Sequence, residues 1–134
     1  MDTYLITGGA GFIGSNFIRY LLEKDPTVQI INIDKLTYAG SLNNLNFISK
    51  QFKYIFVRDD ICDKERVMDL FESYQPAYII NFAAESHVDR SIENNEPFVR
   101  TNVLGTQILL QSALKYNVKK FIQISTDEGQ EICR

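Results

Sequence analysis

An eight-residue turn, Thr7-Gly8-Gly9-Ala10-Gly11-Phe12-Ile13-Gly14, constrains this chain more than any other feature. It follows a short apolar run, Tyr4-Leu5-Ile6. It precedes a stretch with apolar residues at helical spacing: Phe12, Ile13, Phe17, Ile18, Leu21 and Leu22. The run reads as a buried strand and the stretch as a helix with one apolar stripe. Glycines 9, 11 and 14 fit G-x-G-x-x-G, and glycines 8, 11 and 14 fit G-x-x-G-x-x-G. Either spacing meets one physical demand. The chain must turn tightly, backbone N–H groups must approach a pyrophosphate, and the helix must pack close to the sheet. A side chain at the middle Gly11 would block the phosphates, and the positive end of the helix attracts them. Such a turn can also be a plain Gly-rich connector. A second observation narrows it: Asp34 stands 20 residues after Gly14, at the end of the next apolar run. A carboxylate there can accept both ribose hydroxyls of an adenosine and would repel a 2′-phosphate, which favours NAD over NADP.

The rest of the chain alternates between the two periodicities. Val28, Ile30, Ile31 and Ile33 predict a second strand, apolar enough to be covered on both faces. Residues 54–57, 78–82 and 121–124 predict three more. Asp25-Pro26 and Gln75-Pro76 stop two helices, and Asp63 is a good N-cap for the second, which carries Val67, Leu70, Phe71 and Tyr74. A third, long helix is predicted from Pro97 to about Tyr116, with Val103, Leu104, Ile108, Leu109 and Leu114 on its apolar side. Residues 36–48 read as a loop with a short helix near its end. The resulting fold class is α/β, a Rossmann-type doubly wound parallel sheet of five predicted strands.

Composition removes several function classes. The formal charge of −3 leaves no basic excess for a nucleic acid. One His and two Cys, at 62 and 133, supply neither a disulfide framework nor a four-ligand zinc site without carboxylates. No apolar run approaches a membrane span, and Met1-Asp2-Thr3 lacks the basic start of a signal peptide. A soluble, cytoplasmic protein without metal is expected.

Ligands of such sheets lie beyond the carboxyl ends of the strands. Asp60 and Ile61 follow the third strand, Ala83-Ala84-Glu85-Ser86-His87 the fourth, and Ser125-Thr126-Asp127-Glu128 the fifth. The last cluster offers a hydroxyl and two adjacent carboxyls. Neighbouring carboxyls in a desolvated site titrate apart, so one can serve as acid and the other as base. Thr-Asp-Glu also commonly opens a helix, where acids favour the dipole. His87 reads as a loop residue bonded locally, and the two cysteines as free thiols.

Together these segments resemble the extended short-chain dehydrogenase/reductase superfamily. Residues 7–17 (TGGAGFIGSNF), 32–40 (NIDKLTYAG), 83–92 (AAESHVDRSI), 101–106 (TNVLGT) and 124–128 (ISTDE) carry the resemblance. Within the superfamily they look like the dTDP-glucose 4,6-dehydratase branch. The resemblance implies NAD as cofactor and a nucleotide sugar as substrate. The sugar is oxidised at C4, loses water across C5 and C6, and is reduced at C6. By motif it places Gly8, Gly11, Phe12, Ile13 and Gly14 at the pyrophosphate, and Asp34, Lys35, Leu36 and Thr37 around the adenosine ribose. Asp60 and Ile61 flank adenine. Phe82, Ala83, Ala84, Glu85, Ser86 and Thr101 line the cofactor. Ser86 and Thr126 reach the hexose, Asp127 is the acid for the C6 hydroxyl and Glu128 the base for the C5 proton.

Two features depart from the family: a small one at Asp59, where many relatives have a small residue, and a large one at the end. Relatives continue after Glu128 with Val-Tyr-Gly and later carry a Tyr-x-x-x-Lys for the hydride step. Here Gly129-Gln130-Glu131 follows, and no Tyr occurs after Tyr116. Tyr20 to Lys24 and Tyr116 to Lys120 have the spacing but the wrong place in the predicted order. The expectation is a partial NAD-binding domain over 1–128 with an unpatterned tail over 129–134 and no substrate domain. It would be a truncated or frame-shifted product, inactive alone and prone to association where full-length relatives form homodimers. Two rival readings remain: a non-catalytic NAD-binding module, and another sugar-nucleotide enzyme such as an epimerase or decarboxylase.

Overall fold

Strand residues that are apolar on both faces must lie between two layers, and Thr3–Thr7 (β1) lies there, at the centre of the sheet in the computed structural model. The structure describes residues 2–35, 45, 48, 51–82 and 104–124. The further elements are α1 (Phe12–Lys24), β2 (Gln29–Ile33), β3 (Lys53–Val57), α2 (Lys64–Tyr74), β4 (Tyr78–Asn81), α3 (Thr106–Lys115) and β5 (Lys120–Gln123). All five strands run parallel in the order β3-β2-β1-β4-β5, the doubly wound arrangement expected.

Alternation along the strands sorts the core into two clusters. Leu5, Ile31, Ile33, Val57 and Ile79 face one side, where Val67, Leu70 and Phe71 of α2 and Ile108 and Leu109 of α3 cover them. Ile6, Ile30 and Ile80 face the other, under Ile18, Leu21 and Leu22 of α1. Leu45 joins that second cluster and its carbonyl accepts the Ile48 N–H at 3.1 Å; the rest of the loop and short helix expected over 36–48 lies outside the described residues.

The register places the strand ends level. Thr7 pairs with Ile33 and with Asn81, Ile33 with Val57, and Asn81 with Gln123. The segments that leave the carboxyl ends of the strands therefore start along a single edge. Helix ends obey their local signals. The Asp63 carboxylate caps α2 by accepting the Arg66 N–H at 3.3 Å, and Gln75 closes it in the left-handed conformation ahead of Pro76. After α1, Asp25 accepts the Thr27 hydroxyl at 2.6 Å and the Thr27 N–H at 3.1 Å. Those bonds hold its carboxyl below the usual range.

Two expectations about apolar stripes need correction. Phe12 and Ile13 are not on the buried stripe of α1: they are 76% and 64% exposed. They lie roughly 120–140° around the helix from the stripe of Gly14, Ser15, Ile18, Leu21 and Leu22, so their side chains point away from the sheet. Ile18, Leu21 and Leu22 carry the packing. Leu114 likewise points away from the core at 81% exposure, while Leu109 is fully buried. At about 100° per residue, positions 109 and 114 are roughly 140° apart on the helix. The beginning predicted for that helix near Pro97 lies outside the described residues. Leu109→Ala is expected to cost about 2–5 kcal/mol, and Leu114→Ala within about 0.5 kcal/mol of nothing, by urea denaturation. Equal losses would place the two side chains in equivalent environments and contradict this packing.

Candidate cofactor-binding site

Backbone hydrogen bonding at the end of β1 determines what the glycine turn can offer. Gly8 takes a positive φ of 71°, which a side chain would disfavour. Its N–H donates to the Ile33 carbonyl at 2.8 Å. The Gly9 N–H donates to Asn32 Oδ1 at 2.9 Å and the Ala10 N–H to Asp34 Oδ2 at 2.8 Å. The Gly11 N–H donates to the Gly8 carbonyl at 3.2 Å. The donors of the turn itself are therefore engaged inside the protein.

The donors that remain are those of the first turn of α1. Helix geometry leaves the N–H groups of Phe12, Ile13 and Gly14 without intrahelical acceptors. Gly11 stands at the N-cap, no side chain caps it, and the first turn carries no acid. The exposure of Phe12 and Ile13 keeps this end open. An uncapped helix start at the carboxyl edge of a parallel sheet is an anion site. The two outer glycines serve its packing. A Cβ on Gly14 would lie 2.5 Å from the Gly8 carbonyl oxygen, and one on Gly9 would lie 2.5 Å from Asn32 Oδ1.

The other strand ends contribute along the same edge. Asp34 is half-buried after β2, with one carboxylate oxygen on the turn. Lys35 reaches Asp60, after β3, at 3.5 Å. Asp60 Oδ1 accepts the Cys62 N–H at 2.9 Å, and Asp59 pairs with Arg66 at 3.7 Å. Ile61 is buried, with its side chain against Gly105 just before α3. Phe82 follows β4, its N–H shared between the carbonyl and hydroxyl of Thr7 at 2.9 and 3.1 Å. Its ring lies 5.7 Å from that of Phe17.

The structure thus brings Gly8, Gly11, Phe12, Ile13, Gly14, Asp34, Lys35, Asp60, Ile61 and Phe82 to the edge where the sequence expects a cofactor. Leu36, Thr37, Ala83, Ala84, Glu85, Ser86, Thr101, Thr126, Asp127 and Glu128 lie outside the described residues, as do His87 and Cys133. The pairs set aside on sequence order are misplaced in space as well. Tyr20 and Lys24 are on the last turns of α1, about 12 and about 18 Å of helix beyond its start. Tyr116 caps α3 while Lys120 opens β5, so no helical face holds both.

Two polar positions escaped the sequence reading. Thr7 and Asn81, both buried, close the sheet between β1 and β4: the Thr7 hydroxyl donates to Asn81 Oδ1, and Asn81 Nδ2 donates to Gln123 Oε1 at 2.8 Å. On the opposite face Asn32 Nδ2 donates to the Tyr54 hydroxyl at 3.0 Å. Burial pushes the Tyr54 phenol up, the charge of Asp34 adds to this, and the Asn32 bond opposes it. The available signal was an Asn next to the end of an apolar strand, twice. Among the described residues no cluster of His, Cys, Asp or Glu could hold a metal ion, and no helix is long and apolar enough to cross a membrane.

Comparison with known proteins adds a direct likeness. The signature of the GDP-mannose 4,6 dehydratase family matches residues 5–129. The chain is 55% identical over 124 residues to the low-salt glycan biosynthesis protein Agl12 of Haloferax volcanii, covering 92% of this chain and 39% of that one. Its fold superposes on the dTDP-glucose 4,6-dehydratase of Bacillus anthracis, solved in complex with NAD, with a TM-score of 0.82 and 44% identity over 96% of this chain and 38% of that one. It superposes on the UDP-Glc/GlcNAc 4-epimerase of Campylobacter jejuni with a TM-score of 0.84 and 32% identity, over 95% of this chain and 38% of that one. The chain therefore spans under two-fifths of the length of each of these proteins.

Gly14→Ala tests the contact between helix start and turn. In an ordinary helix interior this change stabilises by up to about 1 kcal/mol. Here the Cβ meets a backbone carbonyl that cannot swing aside, and a loss of about 1–3 kcal/mol is expected by denaturant unfolding. A gain would show that the turn and α1 are not in contact.

Proposed function

The chain belongs to the GDP-mannose 4,6 dehydratase family, and we propose that it is the NAD-holding part of a nucleotide-sugar 4,6-dehydratase acting on dTDP-glucose. One observation carries the reading: the uncapped start of α1 sits level with Asp34 at the carboxyl edge of the sheet, so a pyrophosphate and an adenosine ribose find partners a few ångströms apart. Donors of the first turn, at Phe12, Ile13 and Gly14, bind the pyrophosphate. Asp34 accepts the ribose hydroxyls while keeping Ala10 in place, and its charge disfavours a 2′-phosphate. Lys35, Leu36 and Thr37 complete the ribose side, and Asp60 and Ile61 flank the adenine. Phe82, Ala83, Ala84, Glu85, Ser86 and Thr101 form the nicotinamide side.

When bound, NAD supplies the hydride acceptor for the sugar C4 and the donor for C6. The chain's own residues handle the protons. Glu128 removes the C5 proton, Asp127 protonates the C6 hydroxyl as it departs as water, and Ser86 and Thr126 hold the hexose. Adjacent carboxyls suit this division because ionising one disfavours ionising the other. The same pair separates the dehydratase reading from an epimerase, which has no C–O bond to break at C6. Identity points the same way, at 44% to the B. anthracis dehydratase against 32% to the epimerase.

Titration calorimetry of the 134-residue chain is expected to detect NAD and to rank it above NADP. Asp34→Asn keeps an acceptor for the Ala10 N–H and removes the charge. It should weaken NAD about tenfold, the equivalent of one charge-assisted hydrogen bond, and narrow the gap to NADP. Absence of NAD binding at millimolar concentration would sink the cofactor role. With neither Tyr-x-x-x-Lys spacing on a suitable helix face, the chain by itself should form no 4-keto-6-deoxy product from dTDP-glucose. Turnover by a preparation free of longer homologues would refute that.

A further inference from the structure

The turn of β1 into α1 is held by three consecutive residues of β2 and its end. The Ile33 carbonyl takes the Gly8 N–H, Asn32 Oδ1 the Gly9 N–H and Asp34 Oδ2 the Ala10 N–H. Two of these acceptors are accounted for by parallel pairing and by the ribose role. The third is a fully buried amide in a strand whose other inward residues are isoleucines. We propose that Asn32 is a positioning residue for the phosphate site: its amide, braced by Tyr54, fixes the Gly9 peptide and so the direction in which α1 presents its free N–H groups. The inference rests on the cofactor reading above.

The argument is one of orientation and space. A Tyr hydroxyl can donate or accept, so Tyr54 would tolerate either face of the amide. The Gly9 N–H only donates, and it selects the orientation with Oδ1 toward the turn. Tyr54 then satisfies the other end of the amide at 3.0 Å. A buried donor without a partner is costly, so each bond restrains the next. Nor is there slack around Gly9: an added Cβ would sit 2.5 Å from Asn32 Oδ1 and 2.7 Å from Ile18 Cδ1. Without the amide, the Gly9 peptide must rotate to find an acceptor. Gly8 and Gly9 are the residues that Gly14 abuts, so this rotation is passed directly to the first turn of α1. Neutrality also matters. An acid at this position would lie two residues from Asp34 and beside the phosphate donors, whereas the amide accepts without adding charge. Burial keeps the Tyr54 phenol protonated and neutral too.

The test compares two ligands that differ only in the phosphates. The 134-residue chain, Asn32→Leu and Tyr54→Phe are titrated with ADP and with adenosine below their unfolding midpoints, and Gly9 amide exchange is followed by NMR without ligand. Asn32→Leu should weaken ADP about tenfold, as expected for a lost or misdirected hydrogen bond, and leave adenosine within about twofold. Gly9 exchange should accelerate. Tyr54→Phe keeps the Gly9 bond, so its loss for ADP should be only a few-fold and Gly9 should stay protected. It carries the test if Asn32→Leu does not fold. Equal losses for ADP and adenosine in either variant would reduce Asn32 to a general packing role and overturn the proposal. So would unchanged ADP affinity in Asn32→Leu. If the unaltered chain binds neither ADP nor NAD, the cofactor reading falls and the positioning role with it. Gly9 exchange would still report whether the clamp exists.

Discussion

A backbone N–H that is buried must be met, and most of this structure's function follows from how four of them are met. The donors of Gly8, Gly9, Ala10 and Gly11 are engaged by Ile33, Asn32, Asp34 and the turn itself. If β2 did not supply those acceptors, the turn would have to open to water and α1 could not begin against the strand. Because it does supply them, the unsatisfied donors are shifted forward onto the first turn of the helix. There they add to the helix dipole. On the function proposed above, the donors offered to a phosphate are those left over once everything behind them is satisfied.

The doubly wound order turns that local arrangement into a site with several walls. β1 is central, flanked by β2 on one side and β4 on the other, and the level register brings the ends of β2, β3 and β4 to the same edge. Each end supplies a different interaction: a carboxylate after β2, a carboxylate bonded to its own loop after β3, an aromatic ring after β4. None of these loops needs to be long, because the sheet has already placed its starting point. The Lys35–Asp60 pair at 3.5 Å ties two of the loops together across the region assigned to adenosine. Both side chains are partly exposed, so the pair contributes little stability.

Much of this was legible because the governing signals are local. The strand runs, Asp63 as a cap, and Pro26 and Pro76 as stops act within a few residues. The glycine spacing and Asp34 marked segments that the fold brings together at the carboxyl edge of the sheet. The features that were not legible depend on where a residue sits relative to a distant element. Phe12 and Ile13 begin the apolar count of α1, yet helix rotation turns them away from the face that Gly14, Ser15 and Ile18 bury. Leu114 continues an apolar count along α3 but has rotated off the face that meets α2. Asn32 looks like an interruption in an apolar strand until Gly9, 23 positions away, is brought beside it. Asn81 is the same case on the other face. A polar residue inside an apolar strand is a question about tertiary partners, and spacing alone does not contain the answer.

The near-equal superposition on a dehydratase and on an epimerase has a physical explanation in this division of labour. On the function proposed above, the residues at the ends of β1, β2 and β3 would address the shared part of a dinucleotide: phosphates, ribose, adenine. None depends on which bond of a sugar is broken. Selection on the backbone of this half is therefore selection for holding a cofactor, and enzymes of different chemistry can keep it. The chemistry has to be written at the ends of β4 and β5, where a sugar meets the nicotinamide, and there a backbone trace says little. Two carboxyls in adjacent positions, Asp127 and Glu128, are a strong requirement only if a proton must leave one carbon while water leaves its neighbour. Their presence a few residues after β5 is what the proposed dehydratase reading uses to separate reactions that the fold treats alike.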